Sequence, residues 1–132
     1  MATYHNYAGV GTTYSQQFGF SQAVRIGNLI KLSGQAGWDA EGRVPADAAA
    51  QIQLSVENVD KALKAVDPSL GWKNVVQVRS YHTDLEATGM VMTEQFKRLK
   101  PGAGPVWMTF QTPKLLLPGT VIELEVEAYV DA

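Results

Sequence analysis

A strict alternation of apolar and acidic positions marks the C-terminal end of the chain. Apolar residues occupy every second position from Ile122 to Val130, and Glu123, Glu125 and Glu127 fall between them. A period of two is that of a β-strand, because successive side chains point to opposite faces of a sheet. The pattern predicts a strand with one face in the core and an acidic second face.

Shorter β-rich segments occur upstream of this strand. Ala23–Ile26 and Leu29–Leu32 are separated only by Gly27-Asn28, which predicts a hairpin with a tight turn. Ser33-Gly34-Gln35 follows directly, and a glycine at this place indicates a bulge or a close approach of the backbone to another group. Two further segments with β-rich composition predict strands at Val75–His82 and Val106–Gln111.

Two segments show helical spacing instead. The first follows Asp47, a residue type suited to the N-cap, and an alanine triplet with high helix propensity. Apolar residues then recur at steps of four and three, which gives one core-facing stripe: Ile52, Val56, Val59, Leu63 and Val66. A second, weaker helix is predicted where Leu85, Met92, Phe96 and Leu99 share one face, and Gly89 leaves its start uncertain.

The predicted element order is therefore β-β-α-β-α-β-β. It indicates an α+β domain with a single mixed β-sheet and two helices packed on one face. The first segment, residues 1–19, has no clear period and is predicted to be an irregular N-terminal arm; the domain proper is placed at residues 20–132. The other face of the sheet mixes polar and apolar side chains, which favours a subunit interface.

Composition narrows the functional classes. The 132 residues carry a net charge of −2 without a basic run, which argues against nucleic acid and against an anionic membrane surface as partners. No apolar run approaches the length of a membrane span, and no signal peptide is evident, so a cytoplasmic protein is expected. Cysteine is absent and the two histidines are far apart, so no metal site is predicted.

Several short sequence motifs occur in an order that resembles that of the RidA/YjgF family. The matching words run from Phe20 to the last strand: FSQAVRIGNL from Phe20, LSGQ from Leu32, GRVPAD from Gly42, ENV from Glu57, YHTDL from Tyr81, LPG from Leu117 and IELE from Ile122. The resemblance implies a chorismate-mutase-like fold and a homotrimer with ligand clefts between subunits. It also implies hydrolysis of reactive imines or enamines without metal or cofactor.

The resemblance also implies a set of site residues. Ser33 and Gly34 take the positions that contact the substrate, and Phe20 takes the position of a tyrosine that lines the pocket. Glu123 takes the position of the glutamate that positions a water molecule, although Glu125 is also compatible with the spacing. Thr109 is assigned to the substrate pocket as well.

The chain departs from the family pattern at Trp107. A catalytic arginine is expected in a Pro-x-Arg segment, and this chain has Pro105-Val106-Trp107. Arginine offers a planar fork of donors that matches a carboxylate, whereas tryptophan offers one N–H, no charge and a large apolar face. We therefore expect a cleft selective for aromatic, uncharged or cationic ligands, and a raised pKa for Glu123 because no cation is nearby. Alternatively, Trp107 is a core or interface aromatic residue that only fills the cleft in which other family members bind their ligand.

Three functions remain open at this point. The leading one is a hydrolase or deaminase acting on a small imine, enamine or amide-like metabolite, with Glu123 as the catalytic residue. The second is a non-catalytic trimer that binds small molecules or proteins. The third is an endoribonuclease, which the absence of basic clustering argues against. His82 is expected to be structural rather than an acid–base.

Overall fold

Seven strands form one mixed sheet in the computed structural model, which describes residues 1–131. Their order across the sheet is β1-β2-β3-β7-β5-β6, with β4 also paired to β7; β5 and β6 run parallel, and every other pair is antiparallel. The strands are β1 (Ala2–His5), β2 (Ala23–Ile26), β3 (Leu29–Leu32), β4 (Gln35–Ala36), β5 (Val75–His82), β6 (Val106–Gln111) and β7 (Ile122–Tyr129); the helices are α1 (Val10–Phe18), α2 (Ala48–Val66) and α3 (Leu85–Leu99).

Helices α2 and α3 pack on one face of this sheet, as the sequence predicts. The Asp47 side chain caps α2 by accepting a hydrogen bond from the Ala50 backbone N–H at 2.9 Å, and Asp84 caps α3 in the same way through Ala87 at 3.1 Å. The apolar stripe of α2 is buried against β7 and its neighbours. Among residues 1–131, no helix combines the length and the hydropathy needed to cross a membrane.

The alternating pattern of β7 sorts its side chains as expected. Ile122, Leu124 and Val126 are fully buried in the core between sheet and helices. Glu123 and its acidic neighbours occupy the opposite face, which neither α2 nor α3 covers. We call this second side the open face of the sheet.

The N-terminal segment contradicts the prediction of an irregular arm. Residues 2–5 form β1, which pairs antiparallel with β2, and Val10–Phe18 form helix α1. The helix has only nine residues and lacks an acidic first turn and a side-chain N-cap, so the local signals that mark a helix start are missing.

Tertiary packing supplies what the sequence of α1 lacks. The ring of Tyr7 is buried against Gly11, where a Cβ atom would lie 2.8 Å from Tyr7 Cδ2. The Tyr7 hydroxyl donates to Gln35 Oε1 at 3.0 Å and accepts from Trp38 Nε1 at 3.1 Å. These contacts fix the start of α1 against β4, and they join residues about 30 positions apart, which no local pattern reveals.

A one-residue bulge separates β3 from β4 along the same side of β7. Lys31 pairs with Glu127 and Gln35 pairs with Leu124, so four steps on one strand match three on the other. Gly34 lies within this bulge, where the sequence predicts a bulge or a close backbone approach. A Cβ atom at Gly34 would lie 2.8 Å from Glu123 Cδ, so the prediction is confirmed.

The contact between Gly37 and helix α2 gives a test of the packing. A Cβ atom at Gly37 would lie 2.6 Å from the Cα atom of Gln51, and backbone cannot move aside as a flexible side chain can. We expect Gly37→Ala to lower the free energy of unfolding by roughly 1–3 kcal/mol in urea denaturation. Gly104→Ala is the matched control, because nothing lies within 4 Å of its Cβ position. Equal effects of the two substitutions would contradict this packing.

Candidate functional site

The carboxylate of Glu123 lies between two cavities at the open face. One cavity, of about 50 Å³, is lined by aromatic side chains, by Leu116 and Leu117 and by Gly34. The other is an open groove of about 300 Å³ lined by Ser33, Tyr81 and Glu125 among others. Glu123 and Gly34 belong to both linings, so the two cavities adjoin at this pair.

Burial determines the electrostatics of Glu123. Desolvation raises the pKa of its carboxyl group above the ordinary value of 4.5, and the negative charge of Glu125 raises it further. Within residues 1–131, no hydrogen bond or ion pair to this carboxylate offsets the two effects. The pKa of Glu123 therefore lies closer to neutral pH than the pKa of an exposed glutamate.

Four aromatic rings form the walls of the smaller cavity. They come from helix α1, the loop after it and the loop after β4: Tyr14, Phe18, Phe20 and Trp38. Tyr14 meets Trp38 edge to face with ring centroids 5.1 Å apart, and Phe18 stacks on Phe20 at 6.4 Å. Phe20 was predicted to line the pocket. Tyr14 and Phe18 were not, because their i,i+4 spacing has meaning only once α1 is recognised as a helix.

Ser33 and Gly34 are held in place by a buried network. The Ser33 hydroxyl donates to the Ser21 carbonyl at 2.6 Å, and the Ser33 carbonyl accepts from Gln35 Nε2 at 3.1 Å. Gln35 also donates to Gln22 Oε1 at 2.6 Å. Since its proton is engaged by Ser21, the Ser33 hydroxyl has only lone pairs to offer a ligand. The missing side chain at Gly34 leaves room for the Glu123 carboxylate.

Tyr81 connects the groove to the neighbouring acidic side chain. Its hydroxyl donates to Glu125 Oε1 at 2.9 Å, and its ring stacks on Phe110 with centroids 5.2 Å apart. Glu125 is engaged in this hydrogen bond, whereas Glu123 has no such partner in the part of the chain that the structure describes. This geometry favours Glu123 over Glu125 as the reactive carboxylate.

Trp107 and Thr109 lie on the opposite side of the sheet. Trp107 pairs in register with the core residue Val78, and its ring packs edge to face on Phe96 of α3 at 5.2 Å. Its indole N–H donates to Ser80 Oγ at 2.8 Å, and Thr109 Oγ1 lies 3.1 Å from the same oxygen. A single protomer therefore brings Phe20, Ser33, Gly34 and Glu123 together but separates them from Trp107 and Thr109, which lie on β6 at the edge of the sheet.

The anchoring of Trp107 depends on a neutral histidine. The Thr88 hydroxyl donates to the Asp84 carbonyl at 2.7 Å, so it must accept from His82 Nδ1 at 2.6 Å. His82 Nε2 is then an acceptor for the Ser80 hydroxyl at 2.8 Å. Burial lowers the pKa of His82, so the imidazole ring stays neutral and keeps its proton on Nδ1. His82 is structural, as the sequence predicts.

A larger open cavity of about 670 Å³ lies between the start of α1 and helix α2. None of the sequence-predicted site residues lines it. Among residues 1–131, no group of three or more His, Asp or Glu side chains is arranged to hold a metal ion.

Removing the charge at Glu123 should stabilise the protein in a pH-dependent way. Because the folded-state pKa is raised, ionisation costs stability as the pH rises from the ordinary value of 4.5 through the folded-state value. Glu123→Gln should therefore have a higher Tm than the wild type at about pH 7.5, and the difference should shrink below about pH 4. A lower Tm at neutral pH, measured by differential scanning calorimetry, would show that the carboxylate is stabilised instead.

The anchoring of Trp107 can be tested at Ser80. Ser80→Ala removes the partner of the partly buried indole N–H and leaves the buried His82 Nε2 without a donor. We expect a loss of roughly 1–3 kcal/mol in the free energy of unfolding and a clear shift of the Trp107 indole N–H resonance. Ser69→Ala, at an exposed turn, is the control. An unchanged indole resonance in Ser80→Ala would contradict the network.

Comparison with known proteins places the chain among relatives of the same size. The family model described as "Endoribonuclease L-PSP" matches residues 12–130, which moves the family domain into the segment that was predicted to precede it. "Protein mmf2, mitochondrial" of Schizosaccharomyces pombe is 31% identical over 108 residues, 82% of this chain and 83% of that protein.

Solved structures agree with this match. Rv2704 of Mycobacterium tuberculosis, described as a member of the YjgF/YER057c/UK114 family, is 28% identical with a TM-score of 0.76, covering 98% of this chain and 100% of that one. Escherichia coli TdcF with bound serine is 25% identical with a TM-score of 0.74, covering 85% and 88% of the two chains. The chain belongs to the RidA/YjgF family, the family of the endoribonuclease L-PSP model.

Proposed function

We propose that this protein is a hydrolase of the deaminase type that acts on a small imine, enamine or amide-like metabolite, without a metal or cofactor. Glu123 is the residue that carries the proposal. Its desolvated carboxylate, with no partner among residues 1–131, adjoins both the groove and the aromatic cavity. A general base near neutrality needs this kind of environment.

The reaction that suits this site is addition of water to a carbon–nitrogen double bond. Glu123 accepts a proton from water while the water oxygen bonds to the imine carbon, and the electron pair of the double bond moves to nitrogen. The protonated Glu123 then returns the proton to that nitrogen. Glu123 then takes the proton of the new hydroxyl group and delivers it to nitrogen as the carbon–nitrogen bond breaks, so that a carbonyl compound and ammonia or an amine leave.

The complete cleft is proposed to lie between copies of the chain in a homotrimer. Glu123 and Trp107 lie on opposite faces of one sheet, so one cavity can contain both only if they come from different protomers. Exposed apolar side chains on the open face and on edge strand β6 support this assembly: Val76, Val106, Met108, Phe110 and Tyr129. A face of this kind in a protein that remained monomeric would be unusual.

The substrate is proposed to differ from the usual amino-acid-derived imines of the family. Trp107 lacks the charged fork that grips a carboxylate, and its only polar hydrogen is engaged by Ser80. What Trp107 presents is the exposed part of its ring, which suits an apolar, aromatic or cationic group. Ser33 and Gly34 would orient the substrate, and Phe20 and Thr109 would contribute to the pocket walls.

Two alternatives are kept as outcomes of the test. The same lost carboxylate grip supports a non-catalytic trimer that binds small molecules; the relative TdcF was solved with bound serine. The name of the family model suggests RNA cleavage, but the groove is lined by Glu123 and Glu125 and by no Lys or Arg among the described residues, which disfavours a phosphate there. RNA cleavage by the purified protein that falls with rising salt and is lost in Glu123→Gln would favour that alternative.

The cytoplasmic location stays a prediction, since one relative is named as mitochondrial.

Turnover of a panel of imines and lactams by matched variants tests the proposal. We expect Glu123→Gln to lower kcat/KM by about 100-fold or more, the usual contribution of a general base. Glu127→Gln is the control on the same strand and face, where the carboxylate pairs with Lys31 at 3.3 Å. Retained turnover in Glu123→Gln would contradict the role of Glu123. Binding without turnover by the wild type across the panel would favour the non-catalytic trimer.

A further inference from the structure

The aromatic cavity behind Glu123 has an unusual balance of groups. Four rings surround it, and of the residues within 1–131 that line it, Glu123 alone carries a charge at neutral pH. Tyr14 stays neutral there, because burial and the charge of Asp39 raise its pKa. Aromatic faces are electron-rich, and rings arranged around a carboxylate create a site of negative potential.

The groove on the other side of Glu123 also has a negative electrostatic potential. Glu123 and Glu125 are its charged lining residues, and no Lys or Arg among the described residues lines it. Glu125 already accepts the Tyr81 hydroxyl, while Glu123 has no counter-ion among residues 1–131. An anionic ligand entering the groove would be repelled at both carboxylates.

We infer that the aromatic cavity is a subsite for a cationic nitrogen, so that the ligands of this protein are protonated amines or iminium ions rather than keto or imino acids. The inference rests on the proposed function in that it assigns the substrate class of the same site. The ammonium or iminium group would ion-pair with Glu123 and contact the faces of Phe18, Phe20 and Trp38. Cations are bound in this way wherever rings replace water around them.

The size of the cavity sets which group can enter. Its volume is about 50 Å³, and roughly 10–15 Å³ on the same scale holds one water molecule, so the space suits a head group of only a few heavy atoms. The remainder of the ligand would occupy the groove of about 300 Å³, along Tyr81 and Leu115. A small cationic head with an uncharged tail is the shape that both cavities accept.

A series of ligands with one tail and three head groups tests this assignment. n-Butylammonium, 1-butanol and pentanoate share a four-carbon chain and differ in charge. Their Kd values would be measured on the full-length protein at pH 8, from the Trp38 indole resonance in NMR titrations. We expect n-butylammonium to bind at least tenfold more tightly than 1-butanol, and pentanoate to bind most weakly. Binding of 1-butanol or pentanoate as tight as that of n-butylammonium would overturn the inference.

Variants identify the groups responsible. Glu123→Gln should reduce the preference for n-butylammonium over 1-butanol to about onefold, and Phe18→Leu should reduce it about threefold by removing one ring face. Glu86→Gln, on the exposed surface of α3, changes the net charge equally and should leave the preference unchanged. A preference that persists in Glu123→Gln, or that falls as far in Glu86→Gln, would overturn the assignment to this cavity.

The result of these binding experiments can be distinguished from the result of the turnover experiment that tests the proposed reaction. Glu123-dependent preference for the cation without any imine turnover would support the subsite and contradict the hydrolase. Glu123-dependent turnover of neutral substrates, together with equal binding of all three head groups, would support the hydrolase and contradict the subsite.

Discussion

The site depends on a glycine that leaves space for a carboxylate. At Gly34, inside the bulge between β3 and β4, a Cβ atom would occupy the volume that the Glu123 side chain fills. The side chain is thereby packed against backbone and partly removed from water, and its charged form loses hydration that no donor among residues 1–131 restores. Proteins pair most buried charges. An unpaired one beside two cavities indicates a group kept for a ligand or a proton.

The two faces of the sheet divide the remaining functional residues. Glu123, Tyr81 and Phe110 share the open face, whereas Trp107 is tied to Ser80 and packed on α3. Because strand geometry fixes which side each residue takes, no side-chain motion within a protomer can join them. The proposed function therefore requires assembly, and assembly would also cover the apolar side chains that the open face exposes.

Much of the fold could be predicted from the sequence where local patterns coincide with burial. The alternation of β7, the apolar stripe of α2 and its Asp47 cap, and the close approach at Gly34 all appear as predicted. Helix α1 was missed because it depends on Tyr7, whose partners lie far along the chain. Two of the aromatic wall residues, Tyr14 and Phe18, were missed with it, since they belong to that helix. The placement of Trp107 away from Glu123 follows from strand register, which one sequence does not specify.

A direct measurement of the Glu123 pKa tests the account most sharply. In a ¹³C NMR titration of the side-chain carboxyl groups, with Glu123→Gln used to assign the signal, Glu123 should titrate above the ordinary value of 4.5. Adding n-butylammonium should lower that pKa, because a bound cation favours the ionised form. A pKa at or below 4.5 in the free protein would mean that the carboxylate is already paired or solvated, and the account of the site would be wrong.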